Sequence, residues 1–180
     1  MNVLSGDRIR ALFSALDQEL ARRSVVGEVG LLGVAVMCLV FQARESTKDV
    51  DAVFAPTREI RDAARVVART YGVADDWLND AAKGFLVSSP PRIQVLDLPN
   101  LRVWAPTAEY MLAMKCVSAQ FDTHDAGDVA FLIRHLGLVE PAQVFERIAR
   151  YYPHERVPAK TRFLVKELLG AADGGEGGGA

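Results

Sequence analysis

The apolar and polar positions of this chain change rhythm several times, and each change predicts an element. From Ser5 to Arg23 the apolar residues Ile9, Leu12, Phe13, Leu16 and Leu20 recur at helical spacing, with Asp7 near the positive N-terminal end. That spacing predicts an amphipathic helix, with Gly27 closing the connection. Val29 to Leu32 reads as a strand, Gly33 as a tight turn, and the apolar run to Phe41 as a short buried helix leading into a polar loop. Beyond the loop the period becomes two. Asp49, Asp51 and Val53 fall on one side and Val50, Ala52 and Phe54 on the other, a strand that ends at Pro56.

Thr57 can cap a long helix that reaches Tyr71 and stops at Gly72. Ile60, Ala64, Val67 and Tyr71 form its expected buried stripe, and Arg58, Arg61, Arg65 and Arg69 recur on the other side. Asp75 to Phe85 predicts a short helix, with Trp77, Leu78, Ala81 and Phe85 available for packing. Ser88 to Pro91 predicts a stiff linker. Ile93–Leu98 and Leu101–Trp104 predict two strands joined at the turn pair Pro99-Asn100. Four helices follow: one capped by Thr107 through Gln120, one from Asp125 through His135 to Gly137, one opened by Pro141 and one opened by Pro158 through Leu169. The expected buried residues are Val129, Leu132, Ile133 and Leu136 in the second of these, and Val144, Phe145, Ile148 and Tyr151 in the third. The expected fold is α+β. A small mixed β-sheet with flanking helices occupies 1–105, a C-terminal helical bundle packed on it occupies 106–169, and a glycine-rich disordered tail occupies 170–180.

Composition narrows the picture in three ways. A formal net charge of −2 means that bulk charge does not advertise a nucleic-acid partner, so such a contact requires a local patch. Cys38 and Cys116 both lie in apolar runs and read as reduced core thiols. The first residues are amphipathic and charged, not a secretory signal, and the longest apolar stretch, Val29 to Phe41, is too short to span a bilayer. The expectation is a cytoplasmic protein without membrane contact. His124, His135 and His154 have no cysteine near them at ligand spacing, which argues against zinc.

Three features carry candidate chemistry. Asp49 and Asp51, two residues apart on a strand, project from one face with Cα atoms about 7 Å apart. Without a counter-charge they repel and lose hydration, and a divalent cation relieves both costs. Mg²⁺ suits hard carboxylate oxygens shared with substrate phosphates, whereas the plain alternative is a solvated strand end. The arginine ridge is either a solvated helix face or a rail for a phosphate backbone. Lys115, within Tyr110-Met111-Leu112-Ala113-Met114-Lys115-Cys116-Val117, starts on or beside a buried helix face. Its ammonium either snorkels to water or points into a polar cleft.

The order Gly33 turn, Ser46-Thr47-Lys48-Asp49-Val50-Asp51, then Leu112-Ala113-Met114-Lys115 resembles the AbiEii-type toxin branch of the DNA polymerase β-type nucleotidyltransferases. Trp77-Leu78-Asn79-Asp80 extends the likeness, which covers roughly Val29 to Leu138. The resemblance implies an enzyme that transfers a nucleoside monophosphate from an NTP to an RNA hydroxyl, often the 3′ end of tRNA, or to a protein hydroxyl. It implies Mg²⁺ on Asp49 and Asp51, nucleotide contacts from Gly33, Ser46 and Lys48, phosphate neutralisation by Lys115, and Asp128 as its orienting partner or a base. Asp125 is second to Asp128 for that role. It also implies a cognate antitoxin as partner. Val34 stands where the family carries a second glycine or a serine, and Asp97 is the sole later-strand candidate for a third carboxylate. The alternatives are a degenerate, non-catalytic binding module and, lower, a phosphoesterase using the same aspartates.

Overall fold

The computed structural model describes residues 3–81, 84, 86, 90–118 and 123–173. The chain divides into two compact units, Met1–Pro106 and Thr107–Ala180.

The first unit is mixed α and β. Strand β1 (Leu4–Ser5) leads into helix α1 (Gly6–Arg22), capped by Ser5, whose hydroxyl accepts from the Arg8 N–H. Strand β2 (Gly27–Leu31), helix α2 (Gly33–Leu39), strands β3 (Ser46–Thr47) and β4 (Val50–Ala55), and helix α3 (Thr57–Tyr71) follow. Strands β5 (Leu78–Asn79), β6 (Arg92–Asp97) and β7 (Leu101–Pro106) complete the unit. Five strands form one mixed sheet in the order β5-β4-β2-β7-β6, while β1 and β3 make a separate two-stranded pair. Central β2 runs antiparallel to β4 and parallel to β7. The alternation read along β4 is real: Val50, Ala52 and Phe54 are buried, whereas Asp51 and Val53 stand on the opposite, partly open face. The register between β6 and β7 shifts between Gln94 and Leu96, a bulge in that edge strand.

Three expectations in this unit are corrected. Leu78–Asn79 is a strand, not part of a helix from Asp75 to Phe85. The cause lies in its neighbours: the Trp77 carbonyl accepts from Val50 N–H at 2.7 Å and draws the next residues alongside β4. The indole itself is anchored, donating to the Ala64 carbonyl at 3.0 Å and packing edge-on against Phe13. Thr57 is not the cap of α3. Pro56 holds that position, and the Thr57 hydroxyl donates back to the Phe54 carbonyl at 3.1 Å. Tyr71 leaves the buried stripe and is exposed, with the Arg8 guanidinium over its ring. Phe85 and Ser88-Ser89 of the expected linker lie outside the described residues.

The second unit is helical: α4 (Ala108–Ser118), α5 (Thr123–His135), α6 (Pro141–Ala149), a 3-10 turn at His154–Arg156, and α7 (Ala159–Asp173). Its core is cross-braced by polar groups. The Thr161 hydroxyl donates to the Cys116 carbonyl at 2.7 Å, and the Tyr152 and Tyr110 hydroxyls meet at 3.1 Å. Glu109 accepts from Arg147 and Arg150 at 2.8 and 2.7 Å and from the Tyr151 hydroxyl at 3.2 Å. Those charged partners draw Tyr151 outward, so Val144 and Ile148 are the buried residues of the α6 stripe, while Phe145 and Tyr151 are half-buried. Helix α7 runs to Asp173, four residues past its expected end at Leu169. The expected helix end at Gln120 and the tail at 174–180 lie outside the described residues. Both cysteines are free and buried, and burial pushes the Cys116 thiol up to about 12. Among the described residues, no helix is long and apolar enough to cross a membrane.

Candidate functional site

The carboxylate pair is built by the turn between β2 and α2. Leu32 remains extended and its N–H donates to the Asp51 carbonyl at 2.8 Å, which binds the end of β2 to the start of β4. Gly33 then adopts a φ of +58°, the left-handed region that a side chain resists. Its missing side chain matters for a second reason. A Cβ built there would lie 3.3 Å from Asp51 Oδ2, so the bare glycine faces the carboxylate directly. Gly33→Ala is therefore expected to cost about 1–2 kcal/mol from backbone strain, read as a lower urea midpoint at unchanged slope.

Asp49 precedes β4 and is fixed from two sides. The Thr47 hydroxyl donates to its carbonyl at 2.9 Å, and the Asn79 amide donates to its Oδ2 at 3.4 Å. Asn79 reaches this position because β5 pairs in parallel with β4, with Asn79 opposite Asp51. Burial chiefly, and then the charge of Asp49, push the Asp51 carboxyl above its ordinary value, and Asn79 partly offsets them. Among the described residues, no cation is ion-paired with either aspartate.

The donor chemistry fits a hard divalent ion. The charge of Asp49 raises the cost of ionising Asp51, and Mg²⁺ is bound through one or two carboxylates together with waters and phosphates, without a dedicated protein cage. Among the described residues, no group of three or more His, Cys, Asp or Glu side chains is placed to hold a metal. Asp97 is not a third member, since it is exposed and pairs with Arg102 at 3.8 Å.

The remaining residues predicted for this unit are placed unequally. Ser46 lies half-buried in β3, paired in register with Ser5. Lys48 is exposed immediately before Asp49 and makes no ion pair with a described residue. Asn79 was without a predicted role and is the polar neighbour the sequence reading missed; the signal available was its place in Trp77-Leu78-Asn79-Asp80. Asp80 contacts Arg61 at 3.5 Å, and Asp62 lies 4.0 Å from Arg58 and 3.6 Å from Arg65. The arginine ridge is thus exposed and only partly neutralised, with two carboxylates against its four arginines.

The second unit holds a separate charged cluster. Lys115 occupies an almost wholly buried helix and is itself only 7% exposed. Its ammonium lies 3.0 Å from Asp125 Oδ1 and 2.7 Å from Asp128 Oδ2, with Asp128 only 3% exposed. Asp125 and Asp128 are one helical turn apart on α5 and so share a face. The ammonium therefore does not snorkel to water. It is the counter-ion of two aspartates that arrive from another helix.

Comparison of the chain with protein-family models, with curated proteins and with solved structures returned no match.

Proposed function

We propose that the chain is a Mg²⁺-dependent nucleotidyltransferase of the AbiEii-like kind. It moves a nucleoside monophosphate from an NTP to a hydroxyl of RNA, such as a tRNA 3′ end, or of a protein, and acts in the cytoplasm as the toxin of a toxin–antitoxin pair. The observation that carries this reading is the half-buried Asp51 carboxylate, unrelieved by any described cation and facing the bare side of Gly33.

In this reading Asp49 and Asp51 hold the ion, and Asn79 keeps Asp49 oriented. A bound ion would supply charge stabilisation while the acceptor hydroxyl releases its proton to solvent, its oxygen bonds to the α-phosphorus and the bond to pyrophosphate breaks. Gly33 leaves room for phosphate beside the carboxylate, and Ser46 and Lys48 stand close by in sequence to contact it. Asp125 and Asp128 fix the Lys115 ammonium, the group that the resemblance gives to phosphate neutralisation. With an α-labelled NTP, Mg²⁺ and RNA or protein acceptors, label is expected to move to the acceptor and to be lost in Asp49→Ala. Absence of transfer with every nucleotide and both acceptor classes would overturn the proposal.

A second reading, a non-catalytic binding module, has a specific motive in Val34. It is half-buried at the first turn of α2, next to Gly33, and a β-branched side chain there crowds the space a phosphate would use. Turnover in the labelling experiment eliminates this reading.

A further inference from the structure

The sheet face that bears Asp51 carries a second arrangement. On that face Val53 of β4 is opposite Gly30 of β2, and Gly30 is opposite Trp104 of β7. The Trp104 ring lies over Gly30 so closely that a Cβ there would fall 2.1 Å from the ring. The indole N–H donates to Glu28 Oε1 at 2.9 Å, and the Arg92 guanidinium, 5.0 Å from the ring centroid, donates to the same oxygen at 2.9 Å. A carboxylate thus holds a guanidinium over an indole as one composite surface. Beside it is a shallow recess of about 160 Å³, lined by Glu28, Val53, Phe54, Ala55 and Trp104. Trp104 and Val53 are half-buried and Arg92 is exposed, so the surface remains reachable.

Trp104 on β7 lies two strands across and two residues along from Asp51, about 10 Å by about 7 Å at the backbone from strand spacing and rise, and its ring, seated over Gly30 of β2, shortens the first of these to about 5 Å. That offset is comparable with the reach of a nucleotide from its base to its first phosphate. Aromatic rings and guanidinium planes are the two side-chain surfaces on which nucleobases stack. We infer that the Trp104–Arg92 platform is the base-binding subsite, holding the purine or pyrimidine of the nucleotide whose phosphates face Asp49 and Asp51. The inference rests on the nucleotidyltransferase reading for the phosphates, but the platform itself does not. Stacking is tolerant of base identity, and Glu28 adds an acceptor beside the recess for a base N–H. Arg58, Arg61 and Arg65 on α3 are less suited to that purpose, because Asp62 and Asp80 already pair with them.

The full chain is to be titrated with AMP, GMP, CMP and UMP, and separately with ribose 5-phosphate and tripolyphosphate, following tryptophan emission. Trp104 is the reporter, since Trp77 is buried against Phe13. Saturable quenching by the monophosphates but not by the two base-free compounds is expected. In Trp104→Leu, calorimetric affinity for the same nucleotides should fall about tenfold, with Trp104→Phe retaining most of it. Arg92→Ala, a change at an exposed edge residue, should also weaken binding and covers the case in which Trp104→Leu does not fold. Equal affinity in wild type and in folded Trp104→Leu or Arg92→Ala, or quenching by tripolyphosphate as strong as by AMP, would overturn the subsite. Base-dependent quenching without any label transfer would uphold the subsite while removing the enzymatic reading. Transfer with an unchanged KM in Trp104→Leu would do the reverse.

Discussion

Asp51→Asn is expected to abolish label transfer while making the metal-free protein harder to unfold. The two effects have one origin. Burial and the neighbouring Asp49 push the Asp51 carboxyl upward, so the folded state holds this proton to higher pH than the unfolded state does. The sign then follows from linkage: stability contributed by the protonated form is present at low pH and is lost as pH rises from the ordinary carboxylate value through the raised folded value. At neutral pH without a cation, the ionised Asp51 therefore works against folding, and asparagine removes that term. A melt in EDTA should show the variant above wild type, by about 2–4 °C for each kcal/mol relieved. Mg²⁺ should raise the wild-type midpoint and leave Asp51→Asn nearly unmoved. Loss of one ion ligand removes several kcal/mol of transition-state stabilisation, hence about a thousandfold in transfer rate. If Asp51→Asn melts lower than wild type in EDTA, the pair is a satisfied structural element and not an empty seat for a cation.

Lys115→Met is expected to be the most destabilising single change in the second unit. It leaves Asp128, 3% exposed, as a buried carboxylate without its ammonium, a defect that costs about 3–5 kcal/mol. At this chain length that corresponds to a midpoint lower by about 10 °C. Lys115→Met with Asp128→Leu should recover most of the stability, since exchanging the buried pair for apolar groups is often close to neutral and the remaining Asp125 is the more exposed of the two aspartates. The recovered double variant then separates roles: folded but inactive in transfer, it would tie the cluster to chemistry, whereas folded and active would confine it to structure.

The alternation from Val50 to Phe54 was legible because strand period and side-chain polarity coincide over consecutive residues, whereas Asp49, expected on the same strand, falls in the bend before it. The glycine turn was legible too, where the change from apolar strand to apolar helix needs a residue tolerant of positive φ. The partners of these residues were not legible. Leu78–Asn79 reads as helix by local composition, and only the pairing of Val50 with the Trp77 carbonyl makes it a strand that delivers Asn79. Lys115 offered two outcomes in sequence, water or a cleft. The actual outcome depends on α5 presenting Asp125 and Asp128 to it, a packing fact that no window of residues contains. Likewise Gly30 and Trp104 are far apart in the chain, and their meeting follows from the parallel register of β2 with β7.

The two margins of the five-stranded sheet bear on how this protein behaves in a crowded solution. One margin, β5, offers two residues of backbone, and the other, β6, is kinked by its bulge and begins with an arginine. Neither presents the long, straight, uncharged rim on which a foreign chain could be recruited as an additional strand. Protection against fibrillar growth is thus written into the rim itself, and it would hold for a chain made in large excess over anything that binds it.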